Sequence, residues 1–282
     1  MATDRPAHAD EAPGPADGRA SPPGPPPDEP RTRAELYADL RTADRAPDAP
    51  RPADDAHTTA DGGWAWKSLR LPAPANHVAD QQLAARRGAE GRRPDGTYDE
   101  GGLTPALRRV EAQLDHGTLV PDTEKFALKS PDRFKEKLAK MIERRPDASV
   151  TELAEEIHDG IRYTFIFDPS HYTDQTQQAC SSLAGEGYEL IRLANRWGGE
   201  EYKGVNTRWH DPNSSQPFEI QFHTPESWEA KQRTHESYEK IEDPDTPVKD
   251  VEELRAHQRS VSDSLEIPDH WDDIRDYRKP GH

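Results

Sequence analysis

One cysteine, two methionines and no long apolar run define what this chain of 282 residues does without. Cys180 cannot close an internal disulfide on its own, so the sequence predicts a fold without cross-links and a reducing compartment. No stretch approaches the ~20 apolar residues that a membrane span requires. Residues 1–30 have no hydrophobic centre of the kind that a secretory signal carries. The expectation is a protein with no membrane partner, cytoplasmic or delivered by a secretion route that needs no such signal. Hydrophobic residues are only 32% of the chain, so a fair part of it cannot be core. Basic residues are outnumbered, 37 Lys and Arg against 54 Asp and Glu, for a formal charge of -17. That balance excludes a general nucleic-acid binder with a basic face. It still permits a local cationic pocket for an anionic ligand.

Proline, by contrast, is plentiful, with 27 residues, and much of it lies early, as in "APGPADGRASPPGPPPDEP". Such a segment buries too little apolar surface to offset its ordering entropy, so residues 1–62 are expected to be a disordered leader, either a plain linker or a tether. One short helix is expected within it, at "RAELYADLRTA". Residues 63–124 read as a helical extension. "VADQQLAARRG" ends at Gly88, and "TPALRRVEAQLDHG" has Thr104 as cap and Leu107, Val110 and Leu114 on one face. Residues 125–265 carry the main domain, and 266–282 a loose polar tail.

Within that domain "SPDRFKEKLAKMIERR" is a helix capped by Ser130, and "SVTELAEEIHDG" has the Ser149…Glu152 spacing of a capping box. "GIRYTFIFDP" and "YELIRLANRW" are strands, with the helix "TDQTQQACSSLAGEG" between them. "YKGVNTRWHDPNSSQPFEIQFHT" is a hairpin, followed by two helices starting at Pro225 and near Val248. The order α, α, β, α, β, β, β, α, α predicts an α/β (α+β) fold, a mixed sheet flanked by helices.

The strand "FEIQFHT" poses the functional question. Phe218, Ile220 and Phe222 alternate with Glu219, Gln221 and His223, so a polar row shares one face. That row either meets water or floors a site. Asp159 sits just ahead of another strand, and if the two strands are neighbours the two acids can share a Mg²⁺ ion beside substrate phosphates. Lys129, Lys135 and Lys137 gather at a helix start, where free N–H groups and the dipole favour anions. Arg162, Lys203 and Arg208 lie on strands, and Tyr202 offers an aromatic plate for a base. Spacing alone equally suits a solvated lysine face and surface acids.

The order of "LKSPDRFKEKL", "IHDGIRYTFIF", "YKGVNT" and "FEIQFHT", followed by a helix with Trp, His and Tyr, resembles the synthetase domain of RelA/SpoT-type alarmone synthetases. The resemblance covers about residues 125–240. It implies a nucleotidyltransferase-like sheet and a stringent-response type of chemistry. In that chemistry the β,γ-pyrophosphate of ATP moves to the 3′-hydroxyl of a nucleotide, with GDP or GTP the first expectation, in the presence of Mg²⁺.

Carried over by position, the resemblance assigns Lys129 and Lys137 to the ATP phosphates and Arg162 to stacking on adenine. Tyr202 would stack on the acceptor base, with Lys203, Asn206, Gln221 and His223 around the acceptor. Glu219 would bind the metal and activate the 3′-hydroxyl, with Asp159 as the second catalytic and metal carboxylate. Several positions depart from the family. Ile157 stands where its metal aspartate lies, five residues before Arg162, whereas Asp159 is three before. Ala127 replaces an adenine-clamping arginine, Asn206 a histidine, Gly204 a serine, and His223 an arginine.

Two other readings therefore stand beside alarmone synthesis. One is a toxin using the same chemistry on adenine nucleotides or tRNA 3′ ends, with an immunity protein as partner. The other is a non-catalytic nucleotide-binding module. Self-association into a homo-oligomer is a further expectation. "HD" at 158 and 159 and "HESYE" at 235 superficially match metal-hydrolase motifs, but the remaining ligands those motifs need are missing. His235 is expected to pack below the sheet, and Trp228 and Tyr238 to belong to the core.

Overall fold

The computed structural model describes residues 31–42, 55–243 and 245–281. The first part of the chain supplies α1 (Arg33–Thr42), β1 (His57–Thr58), β2 (Trp64–Trp66), β3 (Leu69–Leu71), α2 (Ala73–Glu90), α3 (Leu103–Glu111) and β4 (Gly117–Leu119). The central part supplies α4 (Pro131–Arg144), α5 (Val150–Glu155), β5 (Arg162–Phe167), α6 (Tyr172–Gly185), β6 (Glu189–Asn195), β7 (Val205–Asp211) and β8 (Gln216–His223). It ends with α7 (Pro225–Glu242), α8 (Val248–Asp263) and β9 (Tyr277–Arg278).

Six strands form one mixed sheet in the order β4-β5-β8-β7-β6-β9, flanked by helices, as the sequence predicts. The pairing of β5 with β8 is parallel and places Arg162 beside Glu219 and Thr164 beside Gln221. The hairpin of β7 and β8 is antiparallel and places Asn206 beside Gln221 and Arg208 beside Glu219. Alternation decides the two faces. Phe218, Ile220 and Phe222 of β8 join Tyr163, Phe165 and Phe167 of β5 and Trp209 of β7 in a core with α3 and α6. Full burial of each such side chain contributes about 1.5–3 kcal/mol, so a one-residue slip of β8 would turn three of them outward.

A second core lies beside the first. The small sheet β1-β2-β3 and helices α2, α4 and α5 enclose Trp64, Leu69, Leu71, Phe134, Leu138, Leu153 and Ile157. The expected helical extension over 63–124 thus contains strands as well as the helices α2 and α3. The tryptophan-rich segment before α2 forms strands that cover α4, and β4 joins the main sheet beside β5.

Other local expectations shift for identifiable reasons. α2 continues past Gly88, with Ala89 and Glu90 still buried, and stops at Gly91, whose φ of 89° suits glycine. Gly102, not Thr104, caps α3, and the Thr104 hydroxyl instead meets the Tyr163 hydroxyl at 2.6 Å. Ser149 makes no side-chain cap hydrogen bond, whereas Ser130 and Thr224 cap α4 and α7 as expected.

The expected leader lies outside the described residues over 1–30 and 43–54. Its helix, α1, is docked: Leu36 is fully buried, and Asp168 accepts a 2.9 Å hydrogen bond from the Arg31 backbone N–H. The expected loose tail is also docked. Ile274 is buried, and β9 extends the sheet at β6.

Candidate functional site

The polar face of β5, β8 and β7 forms one wall of a cavity of about 640 Å³, closed on other sides by α4 and α7. Glu219 and Gln221 line it, so the polar row of β8 floors a pocket. Lys129, Lys137, Asp159, Arg162, Tyr202 and Asn206 line the same cavity. Residues that the sequence scatters over some ninety positions are thereby brought together.

Backbone pairing delivers the first group. Leu128 bridges to Ile161, the Arg162 N–H donates to the Ala127 carbonyl at 2.8 Å, and the Lys129 N–H donates to the Gly160 carbonyl at 3.0 Å. The loop before α4 is thus stitched to the entry of β5, and Lys129 stands over Asp159. The Lys129 ammonium meets Asp159 Oδ2 at 3.0 Å, while Lys137, in the second turn of α4, donates to Oδ1 at 2.8 Å. Burial alone would raise the Asp159 pKa, but the two ammonium groups outweigh it and hold the carboxyl well below the usual range. Burial in turn lowers the pKa of Lys129, and Asp159 opposes that shift.

Asp159 is presented by a short 3-10 turn, His158–Gly160, resting on the buried Arg86. Arg86 donates to the carbonyls of Ala154 at 2.9 Å and Ile157 at 3.0 Å, and its guanidinium lies 4.7 Å from the centre of the Phe134 ring. A Cβ on Gly160 would come within 2.4 Å of Arg86 Nε, so this turn needs glycine. Sequence reading passed over Arg86, since one arginine on an amphipathic helix carries no signal of burial. His158, next to Asp159, is pushed down to about 4 by burial and by nearby Arg208 and Lys137, so it is neutral at pH 7.

The second group is built differently. Tyr202 donates to Asn206 Oδ1 at 2.8 Å, and its hydroxyl lies 2.8 Å from His223 Nε2. His223 Nδ1 lies 2.9 Å from Ser227 Oγ, which belongs to the Thr224–Ser227 capping box of α7. The Tyr202 and His223 contacts are met together when Nε2 donates to Tyr202 and Ser227 donates to Nδ1, the shorter of the two contacts open to the Ser227 hydroxyl, the other being the Thr224 carbonyl at 3.3 Å. Gly204, with φ 144°, lets the backbone pass this close, since a Cβ there would meet the Phe222 carbonyl at 2.9 Å.

Two expected acceptor contacts lie elsewhere. His223 is fully buried behind Tyr202 and acts on the wall through it. Lys203 is also buried, its ammonium donating to the carbonyls of Trp197 at 2.8 Å and Gly199 at 2.7 Å. It braces the loop that carries Tyr202, and its place in the chain gave no sign of those carbonyls. Lys135 likewise leaves the site and pairs with Asp80 at 2.7 Å. Glu219 accepts a 2.7 Å hydrogen bond from Gln221, and Arg162 and Arg208 are its neighbours on the flanking strands.

Several wall residues were missed. Arg133, Lys140 and Arg144 continue the Lys137 face of α4, and Lys231, His235 and Tyr238 line the cavity from α7. Their spacing of three and four residues was available as a signal. His235 and Tyr238 therefore belong to the cavity wall, because α7 turns that face toward the sheet; Trp228 is buried as expected. Eight Lys or Arg residues and six Asp or Glu residues line the cavity, a positive balance in a chain of charge -17. Among the described residues no group of three or more His, Cys, Asp or Glu could hold a metal by itself, and no helix is long and apolar enough to cross a membrane.

No protein-family model matches the chain, and neither does any curated protein sequence. Solved structures do resemble it in fold. Small alarmone synthetase 1 from Bacillus subtilis, bound to its product pppGpp, is 14% identical with a TM-score of 0.43, over 65% of this chain and 91% of that one. Small alarmone synthetase 2 from Bacillus subtilis is 14% identical with a TM-score of 0.40, over 64% and 89%. A GTP pyrophosphokinase family protein from Streptococcus pneumoniae is 13% identical with a TM-score of 0.37, over 67% and 85%.

Proposed function

We propose that the chain is a Mg²⁺-dependent pyrophosphokinase, transferring the β,γ-pyrophosphate of ATP to the 3′-hydroxyl of an acceptor nucleotide, with GDP or GTP as first candidates. One observation carries the reading: a single cavity gathers Lys129, Lys137, Asp159, Arg162, Tyr202 and Glu219. Phosphoryl-type transfer needs positioning and charge neutralisation more than a covalent nucleophile, and these side chains supply both.

The residues present fit Mg²⁺. That ion takes one or two protein carboxylates and completes its octahedron with phosphate oxygens and water. Asp159 and Glu219, on one wall, match such a donor set, and Mg²⁺ held there would neutralise charge on the transferring pyrophosphate.

The chain's own groups then divide the work. Lys129 and Lys137 exchange part of their pairing with Asp159 for phosphate oxygens of ATP. Arg162 offers its guanidinium plane to the adenine, and Tyr202 its ring to the acceptor base. Glu219 accepts the proton of the 3′-hydroxyl as that oxygen attacks the β-phosphorus. The bond from the β-phosphorus to the oxygen bridging α and β breaks, and AMP leaves. Lys203 and His223 keep the acceptor wall in place from behind.

A second reading, nucleotide binding without turnover, is favoured by one feature: both Asp159 oxygens are already engaged by lysines. A transfer assay separates the two. The full chain is incubated with Mg²⁺ and γ-labelled ATP, with GDP, GTP, ATP, AMP and bulk tRNA offered separately. Label on a nucleotide acceptor, absent with Glu219→Gln, supports the pyrophosphokinase. Label on tRNA redirects the same chemistry to a toxin. Binding of Mg-ATP with no label on any acceptor sinks the enzyme reading.

A further inference from the structure

The loop 196–204 leaves the end of β6, brings Arg196, Glu201 and Tyr202 to the cavity and returns as β7. From one side α8 bears on it: Arg255 and Arg259 pair with Glu201, both at 3.4 Å. Those pairs are partly exposed and contribute little to holding it. From the other side comes the C-terminal segment 265–279, which extends the sheet through β9 and buries Ile274 in the main core. Covering a sheet edge needs only backbone pairing. This segment does more.

Asn195 links the segment to the loop. Its side-chain amide donates to the carbonyls of Trp271 and Ile274, each at 2.8 Å, while its Oδ1 accepts from the Trp197 N–H at 3.1 Å. Its backbone N–H donates to Asp276 Oδ1 at 2.7 Å. Only one orientation of the amide fits, since the reverse would set its oxygen against two carbonyls and its NH₂ against an N–H. The indole of Trp271 lies directly over the loop, where a Cβ on Gly198 would come within 3.1 Å of Cη2. A continuous path then leads from Asn195 to the cavity. The Trp197 carbonyl accepts from the Lys203 ammonium at 2.8 Å, and Lys203 adjoins Tyr202 in the chain.

Resting on the pyrophosphokinase reading, we propose that Asn195 is a positioning residue through which the C-terminal segment fixes the loop carrying Tyr202. The segment thereby governs use of the acceptor nucleotide without touching it. A loop released from this brace regains conformational freedom, and setting the Tyr202 ring then draws on the acceptor's binding energy. The donor end is insulated from the brace. β8 and β7 separate β5, which carries Arg162, from the edge formed by β6 and β9. Lys129, Lys137 and Asp159 are held instead by one another and by the turn that rests on Arg86. Loosening the brace therefore separates acceptor use from donor use.

The test joins hydrogen exchange to the labelled-ATP transfer assay on the full chain, with GTP as the acceptor probe. The variants are Asn195→Ala, Trp271→Ala, Asp276→Ala and Asp276→Asn. In the first three, exchange over 196–204 is expected to quicken at least about tenfold, with β5 and β8 as protected as in wild type. Asn195→Ala, which loses both amide bonds to the segment, raises the GTP KM about tenfold and leaves kcat and the ATP KM within about twofold. Asp276→Asn keeps an oxygen for the Asn195 N–H and behaves as wild type, whereas Asp276→Ala does not. Asp276 is exposed, so its variants decide the matter even if Asn195→Ala fails to fold. Unchanged exchange over 196–204 in Trp271→Ala and Asp276→Ala overturns the brace. A parallel rise in the GTP and ATP KM values overturns the positioning role, because the segment then supports the whole cavity. The transfer reading fails separately: a wild type that labels no acceptor removes the pyrophosphokinase, while faster exchange confined to 196–204 leaves the brace standing.

Discussion

The two ends of the cavity solve the same problem with opposite chemistry. At the end proposed for the donor a half-buried carboxylate, Asp159, is clamped between two ammonium groups at 3.0 and 2.8 Å. At the end proposed for the acceptor Tyr202 is held by neutral hydrogen bonds through His223 to a helix cap. Charges that await a charged ligand can pair with each other meanwhile, whereas an aromatic plate needs a fixed ring and no charge. The donor end therefore answers to pH and charge-changing substitutions, and the acceptor end to shape.

Five substitutions sharpen that contrast. Glu219→Gln, between the two ends, should lower label transfer by about 10²–10⁴-fold, the range of a lost general base, with an unchanged melting curve. Wild-type turnover in that variant would remove Glu219 from the chemistry. Asp159→Asn should lower stability in urea by about 1–3 kcal/mol, since it leaves the half-buried Lys129 ammonium without its counter-charge. Adding Lys129→Met should restore much of the loss, and a strictly additive double variant would show that the pair is uncoupled.

The pH dependence has a definite sign. The folded pKa of Asp159 lies below its ordinary value of 3.8, so its contribution is fully present above that value and disappears as pH falls below it. In Asp159→Asn this acid-side loss should shrink.

The acceptor end should respond more gently. His223→Ala should raise the acceptor KM and cost about 1–3 kcal/mol of stability by leaving Tyr202 and Ser227 short of a partner, with the KM for ATP unchanged. An equal rise in both KM values would mean that His223 supports the whole cavity. Smallest of all, Tyr202→Phe should cost about 1 kcal/mol by removing the hydroxyl while keeping the ring.

The same contrast bears on what the sequence could reveal. Alternation in "FEIQFHT" predicted both faces of β8, because Phe218, Ile220 and Phe222 need the core and Glu219 and Gln221 cannot enter it. Ser130 and Thr224 marked helix starts through local hydrogen bonds, which sequence spacing captures. What was not legible depends on distant partners. Lys203 looked like a ligand contact until the carbonyls of Trp197 and Gly199 folded around it, and His223 until Ser227 arrived beneath it. Arg86 and the strand pair before α2 were hidden for the same reason, since their burial is created by α4 and α5. The juxtaposition of Arg162, Glu219 and Arg208 exists only in the register of three strands, which no linear spacing encodes.

In the proposed reaction donor and acceptor nucleotides occupy the two ends of this one cavity. A crystal structure of the full chain with Mg²⁺ and α,β-methylene-ATP tests it most directly. The expected result is the triphosphate between Lys129 and Lys137, with the adenine against Arg162 and the Tyr202 end left open. A nucleotide bound outside the cavity, or lying across Tyr202 with the lysines still closed on Asp159, would contradict it.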